Sequence, residues 1–167
     1  MTDVIDELAG LSRAESETLR GHRPDVVSSA QTSYEALLPA NLDTDPVPGL
    51  DLSTRLLIAA RAAHEEHADS AFEHYTARLA GQPELVALAA AGPNGQTGLT
   101  ASRRLRAILR HTDTLVSRPA ASTASDLAGL TAAGLDEAQI VVLSQIASFV
   151  SFQVRIVHGL AILKGTL

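Results

Sequence analysis

Apolar residues recur along this chain at intervals of three and four, the period of one helix face, and no stretch alternates apolar with polar residues as a half-buried strand does. Residues 1–20 fit one or two short helices around a break at Gly10, with Ser12 as a cap. Pro24 stands where a first helical turn tolerates proline, and Val26, Val27, Ala30, Tyr34 and Leu37 follow at helical spacing to about Leu38. The next stretch, to Leu50, holds Pro39, Pro46, Pro48 and Gly49 and reads as an ordered loop or linker. Asp51 or Ser53 caps a long helix through Leu56, Leu57, Ala60, Ala63, Ala71 and Leu79 that stops at Gly81. Pro83 opens a shorter helix to Ala91, and GPNGQTG is a turn-forming loop. Thr100 or Ser102 caps a helix with Leu105, Ile108, Leu109 and Leu115 on its apolar side, which Pro119 breaks. A short helix capped between Ser122 and Asp126 ends at Gly134. Asp136 then caps a last helix to about Leu163 that is apolar on most faces, the pattern of a central helix. The predicted fold is an all-α helical bundle.

Composition narrows the chemistry. At 167 residues and 46% apolar, the chain has the size and make-up of one compact globular unit. A net charge of −6 argues against a nucleic-acid groove, which needs a concentrated positive field. With no cysteine there is no disulfide, no thiolate–metal site and no cysteine nucleophile. The first ten residues are acidic and lack the basic and apolar regions of a secretory signal. The apolar run Ile140–Val150 is interrupted by Ser144 and Gln145 and falls short of the ~20 residues a membrane span needs. A soluble cytoplasmic protein, binding neither nucleic acid nor membrane, is the expectation.

The segment LSTRLLIAARAAHEEHADSAFEHYTARLAG and the tail LRAILRHTDTLVSRPAASTASDLAGLTAAGLDEAQIVVLSQIASFVSFQVRIVHGLAIL together resemble the carboxymuconolactone decarboxylase and alkylhydroperoxidase-D-like family. The shared features are a helix, a proline-interrupted linker, an L-x-A-A-G-L-D-E turn and a long apolar helix. Phe149, Phe152 and Arg155 match the F-x-x-F-x-x-R spacing of its peroxidase-related branch. The resemblance covers roughly residues 50–165. It implies an alkylhydroperoxidase-D-like helical bundle over 51–167 with residues 1–50 as an added N-terminal helical arm, and a homo-oligomer, trimer or hexamer. Redox members of the family carry C-x-x-C-x-x-x-H on the long helix with a Glu upstream. In one register those positions hold His67, Ser70 and His74, with Arg55 in the Glu position; in the other they hold Ala68, Ala71 and Tyr75, with Leu56. Either register lacks the thiolate that attacks a peroxide and the sulfur that regenerates it. The decarboxylase branch needs no thiol, but its H-E-x-x-x-H pattern survives here only as His74 after Asp69-Ser70. What the resemblance implies is thus a non-redox enzyme or binder of a small acidic molecule, with decarboxylase- or lactone-type chemistry open to it. The alternative is a catalytically silent oligomeric subunit beside a cysteine-bearing paralogue.

Candidate chemistry rests on few groups. On one continuous helix, His64, His67 and His74 would fall within about an 80° arc, with Ser70 between them. His64 and His74 would then lie roughly 15 Å apart along the axis, too far to share one metal ion. The stripe reads either as a pocket wall or as solvated surface, and no metal or other cofactor is called for. His67, Ser70 and His74 are the candidate catalytic residues. Arg155, in an apolar helix where an unpaired charge is costly, and His158 nearly one turn on are candidates for holding a ligand carboxylate or for structural pairing. Arg103, Arg106 and Arg110 share a helix face and, with Arg104, form the one basic cluster. It reads as a solvated or subunit-contact face, with Asp3, Asp6, Glu7, Glu15 and Glu17 of the arm as candidate partners across an interface.

Overall fold

A computed structural model describes residues 3–40 and 47–165, and among these the chain forms ten α-helices, one turn of 3-10 helix at Pro119–Ala121, and no strand. The helices are α1 (Val4–Leu8), α2 (Arg13–Arg20), α3 (Pro24–Leu37), α4 (Leu52–Glu65), α5 (Asp69–Ala77), α6 (Pro83–Ala91), α7 (Gln96–Thr100), α8 (Arg103–Ser117), α9 (Ala124–Ala132) and α10 (Glu137–Lys164). The all-α class follows from the pattern that predicts it. Residues 41–46, the middle of the proline-rich segment read as a linker, lie outside the described residues.

Side-chain caps set the helix starts. Ser12 and Glu15 form a reciprocal capping box on α2, as do Thr123 and Asp126 on α9 and Asp136 and Gln139 on α10. Asp51 accepts from the Thr54 N–H at 2.8 Å to open α4, and Ser102 accepts from Leu105 to open α8. The loop predicted at GPNGQTG instead contains the short helix α7, which packs on the backbone of Gly92 and Pro93. A Cβ on Gly98 would lie 2.1 Å from the Gly92 carbonyl, so only glycine permits that contact.

The long helix predicted from Asp51 to Gly81 is two helices. His64 O accepts from the His67 N–H at 3.0 Å and Ala63 O from the Ala68 N–H at 3.0 Å, the paired bonds of a Schellman termination. His67 takes the left-handed turn position, with φ of 55°, where glycine is usual. The chain therefore changes direction at 66–68, and α5 folds back on α4.

The centre of the bundle is α4 rather than α10. Every residue from Arg55 to Ala63 is buried, because α5, α6, α8 and α10 pack around this one helix. Ala-rich faces allow that close approach on all sides. α10 packs on α4 and α8 through Leu143, Ile146, Val150, Val154 and Val157, yet leaves Val141, Phe152, Ile162 and Leu163 exposed. By length and composition α10 is long and apolar enough to cross a membrane, because its few polar residues are spread through a 28-residue helix. Its inner face lies in the bundle core.

The arm packs through α1 on α10, α3 and α5. Arg20 binds Asp3 at 2.7 Å and also Asp6, Glu7 meets His74, Glu15 caps α2 and meets Lys164, and Glu17 pairs with Arg13. The acidic residues proposed as interface partners for the basic cluster are thus engaged within the chain.

Candidate functional site

The predicted site residues part company because of the break at His67. His67 is exposed at the turn, and Ser70 is exposed in the first turn of α5. His74 is largely covered and lies one helical turn from Ser70, yet the two share no hydrogen bond. Both nitrogens of His74 are engaged: Nδ1 lies 3.2 Å from Glu7 Oε1 and Nε2 2.9 Å from the Tyr34 hydroxyl. Arg78 Nη1 donates to the same Tyr34 oxygen at 3.0 Å and also to the Leu38 carbonyl at 3.1 Å. The Tyr34 hydroxyl thus meets both Arg78 and His74 Nε2, while Nδ1 faces Glu7. The result is a phenol–imidazole–carboxylate relay that joins α1 and α3 to α5 beside an open groove shared by Ser70, Glu73 and Arg78. Ser70 has no base within reach there, because His74 spends both nitrogens on other partners. Arg155 and His158 are both exposed, on the outer side of α10.

A second constellation sits on α8. At positions i, i+3 and i+7, Arg103, Arg106 and Arg110 point along one face. They border an open groove of about 470 Å³, flanked on the other side by α9, that also includes His111, Ser125 and Asp126; Arg103 and Arg110 are exposed and Arg106 is half-buried. None of the three guanidiniums makes a hydrogen bond or ion pair among the described residues. Asp126, the one carboxylate in the wall, accepts from the Thr123 N–H at 2.7 Å and hydroxyl at 2.8 Å. These bonds hold its carboxyl below the usual range, so the wall carries three cations against one anion. His111 is nearly fully buried, and burial pushes its imidazole below the usual histidine range against a smaller opposing pull from Asp126.

An arginine of α4 that reaches α8 shows what a paired guanidinium looks like in the same bundle. Arg61, on α4, grips Asp113 with two bonds of 2.6 and 3.0 Å and Glu65 with one of 2.5 Å, and donates to the Ala89 and Ala90 carbonyls. Every direction of its planar donor fork is taken. Gly92, with φ of 68°, ends α6 against it, and a Cβ there would sit 2.5 Å from Arg61 Nη2.

No protein-family model matches the sequence, and comparison with curated proteins finds no significant relative. Among the described residues no group of three His, Asp or Glu side chains is placed to hold a metal ion. Composition and spacing had set Arg103, Arg106 and Arg110 on one helix face; what the sequence lacked was the docking of α9 beside that face, which makes it one wall of a groove.

Proposed function

We propose that the protein is a cysteine-free relative of the carboxymuconolactone decarboxylase and alkylhydroperoxidase-D-like proteins that binds a small acidic molecule, and that the acid sits between α8 and α9. The family part rests on segment order and the F-x-x-F-x-x-R spacing. The acid-binding part rests on one observation: three guanidiniums converge on one cavity with no partner of their own. Like charges so placed repel one another, and an anion relieves that repulsion with charge-assisted hydrogen bonds. The residues that carry binding in this reading are Arg103, Arg106 and Arg110, with Arg155 and His158 outside it. Any proton chemistry would fall to His111, which lines the same cavity, rather than to His74.

The oligomer belongs to the same proposal. Val141, Phe152, Ile162 and Leu163 are exposed along α10, and large apolar side chains left in water are what a subunit contact covers. Native mass spectrometry of the purified chain reads it directly: a trimer or hexamer agrees, and a monomer at micromolar concentration removes the oligomer.

The ligand test is a thermal-shift and calorimetric screen of small carboxylates and phosphate. At least one is expected to raise the melting temperature by several degrees, since binding to the native state stabilises it by mass action. Gly129→Leu is the sharpest control. A Cβ at Gly129 meets nothing within 4 Å, and this residue lines the groove, so a leucine there starts without a backbone clash and occupies the space a ligand would take. That variant should fold and lose the shift. If no acid shifts the wild type, the binder gives way to the silent oligomeric subunit.

A further inference from the structure

Building on the acid-binding reading above, we propose that the acid taken by this groove is two-ended. Its anionic group lies between Arg103 and Arg106, and a neutral amide at its far end meets Arg110 and Asp126.

The groove has a direction. α8 and α9 pack on each other and are joined by residues 118–123. Arg104 donates to the carbonyl of Gly134, next after Ala133, so the end of α9 lies by the start of α8. Asp126 acts electrostatically on His111, so the start of α9 lies by the second half of α8. One end of the groove therefore holds Arg103 and Arg106 opposite Ala133, and the other holds Arg110 with Ser125 and Asp126.

These ends differ in charge. At the first, two unpaired guanidiniums face a wall without a carboxylate, and an anionic group there accepts from both. At the second, one cation stands with one anion. Both bonds from Thr123 go to Oδ2 of Asp126, which leaves Oδ1 free to accept. A second carboxylate at this end would gain from Arg110 and lose to Asp126, and an ammonium would do the reverse. A carboxamide suits both, because its oxygen accepts from Arg110 and its N–H groups donate to Asp126. Between the ends the wall is Ala107, Gly129 and Leu130, which favours an apolar connection. At the rise of an α-helix, Arg110 lies about 8 Å along the axis from the midpoint of Arg103 and Arg106. An extended eight-carbon chain covers that span and a four-carbon chain does not.

Calorimetry on the full-length protein at neutral pH tests this with probes that share one carboxylate and differ at the far end. Octanoate ends in a methyl group, suberate in a second carboxylate, 8-aminooctanoate in an ammonium, and suberamate (the monoamide of suberic acid) in an amide. Suberamate should bind more tightly than suberate or 8-aminooctanoate, and at least about tenfold more tightly than octanoate, the ratio expected for the added polar contacts. Succinamate holds the same two groups too close together and should bind at least about tenfold more weakly than suberamate. Suberate as the tightest ligand would make the site one for diacids, and 8-aminooctanoate as the tightest one for zwitterions; either overturns the amide end. Equal affinity of suberamate and octanoate, or of suberamate and succinamate, overturns the two-ended ligand and leaves acid binding intact. So does a screen in which phosphate or another acid binds and none of these five does. If no acid binds at all, the acid-binding reading falls and this inference with it. Arg110→Ala leaves Asp126 as the charge at the far end, so it should place 8-aminooctanoate above suberamate; an unchanged order overturns the assignment of that end. Arg110 is exposed and makes no bond among the described residues, so the variant should fold.

Discussion

Arginines on α4 and on α8 stand in opposite states. Toward α4, Arg61 is 8% exposed at its side chain and reaches two carboxylates and two carbonyls. Toward α9, Arg103, Arg106 and Arg110 have neither. A buried guanidinium with every N–H taken is part of the architecture, and replacing it disturbs folding. Guanidiniums gathered around a cavity and left unpaired contribute nothing to holding the bundle together and repel one another. The difference separates a structural arginine on α4 from the proposed binding arginines on α8, and variants of the two sets should therefore fail in different assays.

The largest effect is expected at Arg61. Arg61→Ala strands Asp113 and Glu65 in a partly buried site and should cost about 3–5 kcal/mol, read as a fall in the urea midpoint. The loss should shrink in mild acid. Burial already raises the Asp113 carboxyl above its ordinary 3.8, and Arg61 opposes that rise. Without Arg61 the folded state takes up the proton at still higher pH than the unfolded chain does. Stability of the variant therefore recovers as pH falls through the window above 3.8. A penalty that is equal at neutral and mildly acidic pH would mean that Asp113 is not the stranded charge.

On α8, Arg106→Ala and Arg110→Ala should leave the melting temperature unchanged or slightly raised, since each relieves repulsion and breaks no bond. Each should weaken binding of suberamate roughly tenfold or more, the worth of one charge-assisted hydrogen bond. A large fall in melting temperature at either position would place these arginines with Arg61 as structural groups.

How much of this was legible in the sequence depended on whether a feature was local. Helix starts at Ser12, Pro24, Asp51, Pro83, Ser102 and Asp136 were legible because a cap or a first-turn proline acts within four residues. The stop at Glu66 was not, because the left-handed turn position is held by His67 and no glycine announces it. That one turn dispersed the histidine stripe, since His64 and His74 then belong to different helices. The centrality of α4 was hidden for a related reason. Its two buried arginines make it read as amphipathic, and only the folded structure supplies Asp113, Glu65 and the Leu50 carbonyl that make burying Arg61 and Arg55 tolerable. The spacing of Arg103, Arg106 and Arg110 was readable. Whether a row of arginines lies on open surface or along a groove is decided by a helix about 20 residues further on, which no periodicity encodes.

His111 extends the comparison to acid–base behaviour. Its basicity is lowered in the folded state, chiefly by burial, so the unfolded chain binds the proton more tightly. Stability from this group is present above the ordinary histidine value of 6.5 and is lost as pH falls below it. A melting curve measured from neutral pH downward should fall through that window, and His111→Phe should flatten it. An unchanged slope in the variant would remove His111 as the titrating group.

The smallest effect is expected at His74, whose hydrogen bonds are local ties. His74→Ala breaks the contacts with Glu7 and Tyr34 that join the arm to α5. Tyr34 keeps its bond from Arg78, and Glu7 is 60% exposed at its side chain and can turn to water, so neither partner is stranded. The cost should be about 1 kcal/mol, the net worth of a bond or two whose partners recover others. Hydrogen exchange should rise in α1 while α8 and α9 stay protected, because the tie acts on the arm alone. Affinity for suberamate should not change. If His74→Ala abolished that binding instead, the site would belong to the relay on α5, and the unpaired arginines of α8 would be surface charge.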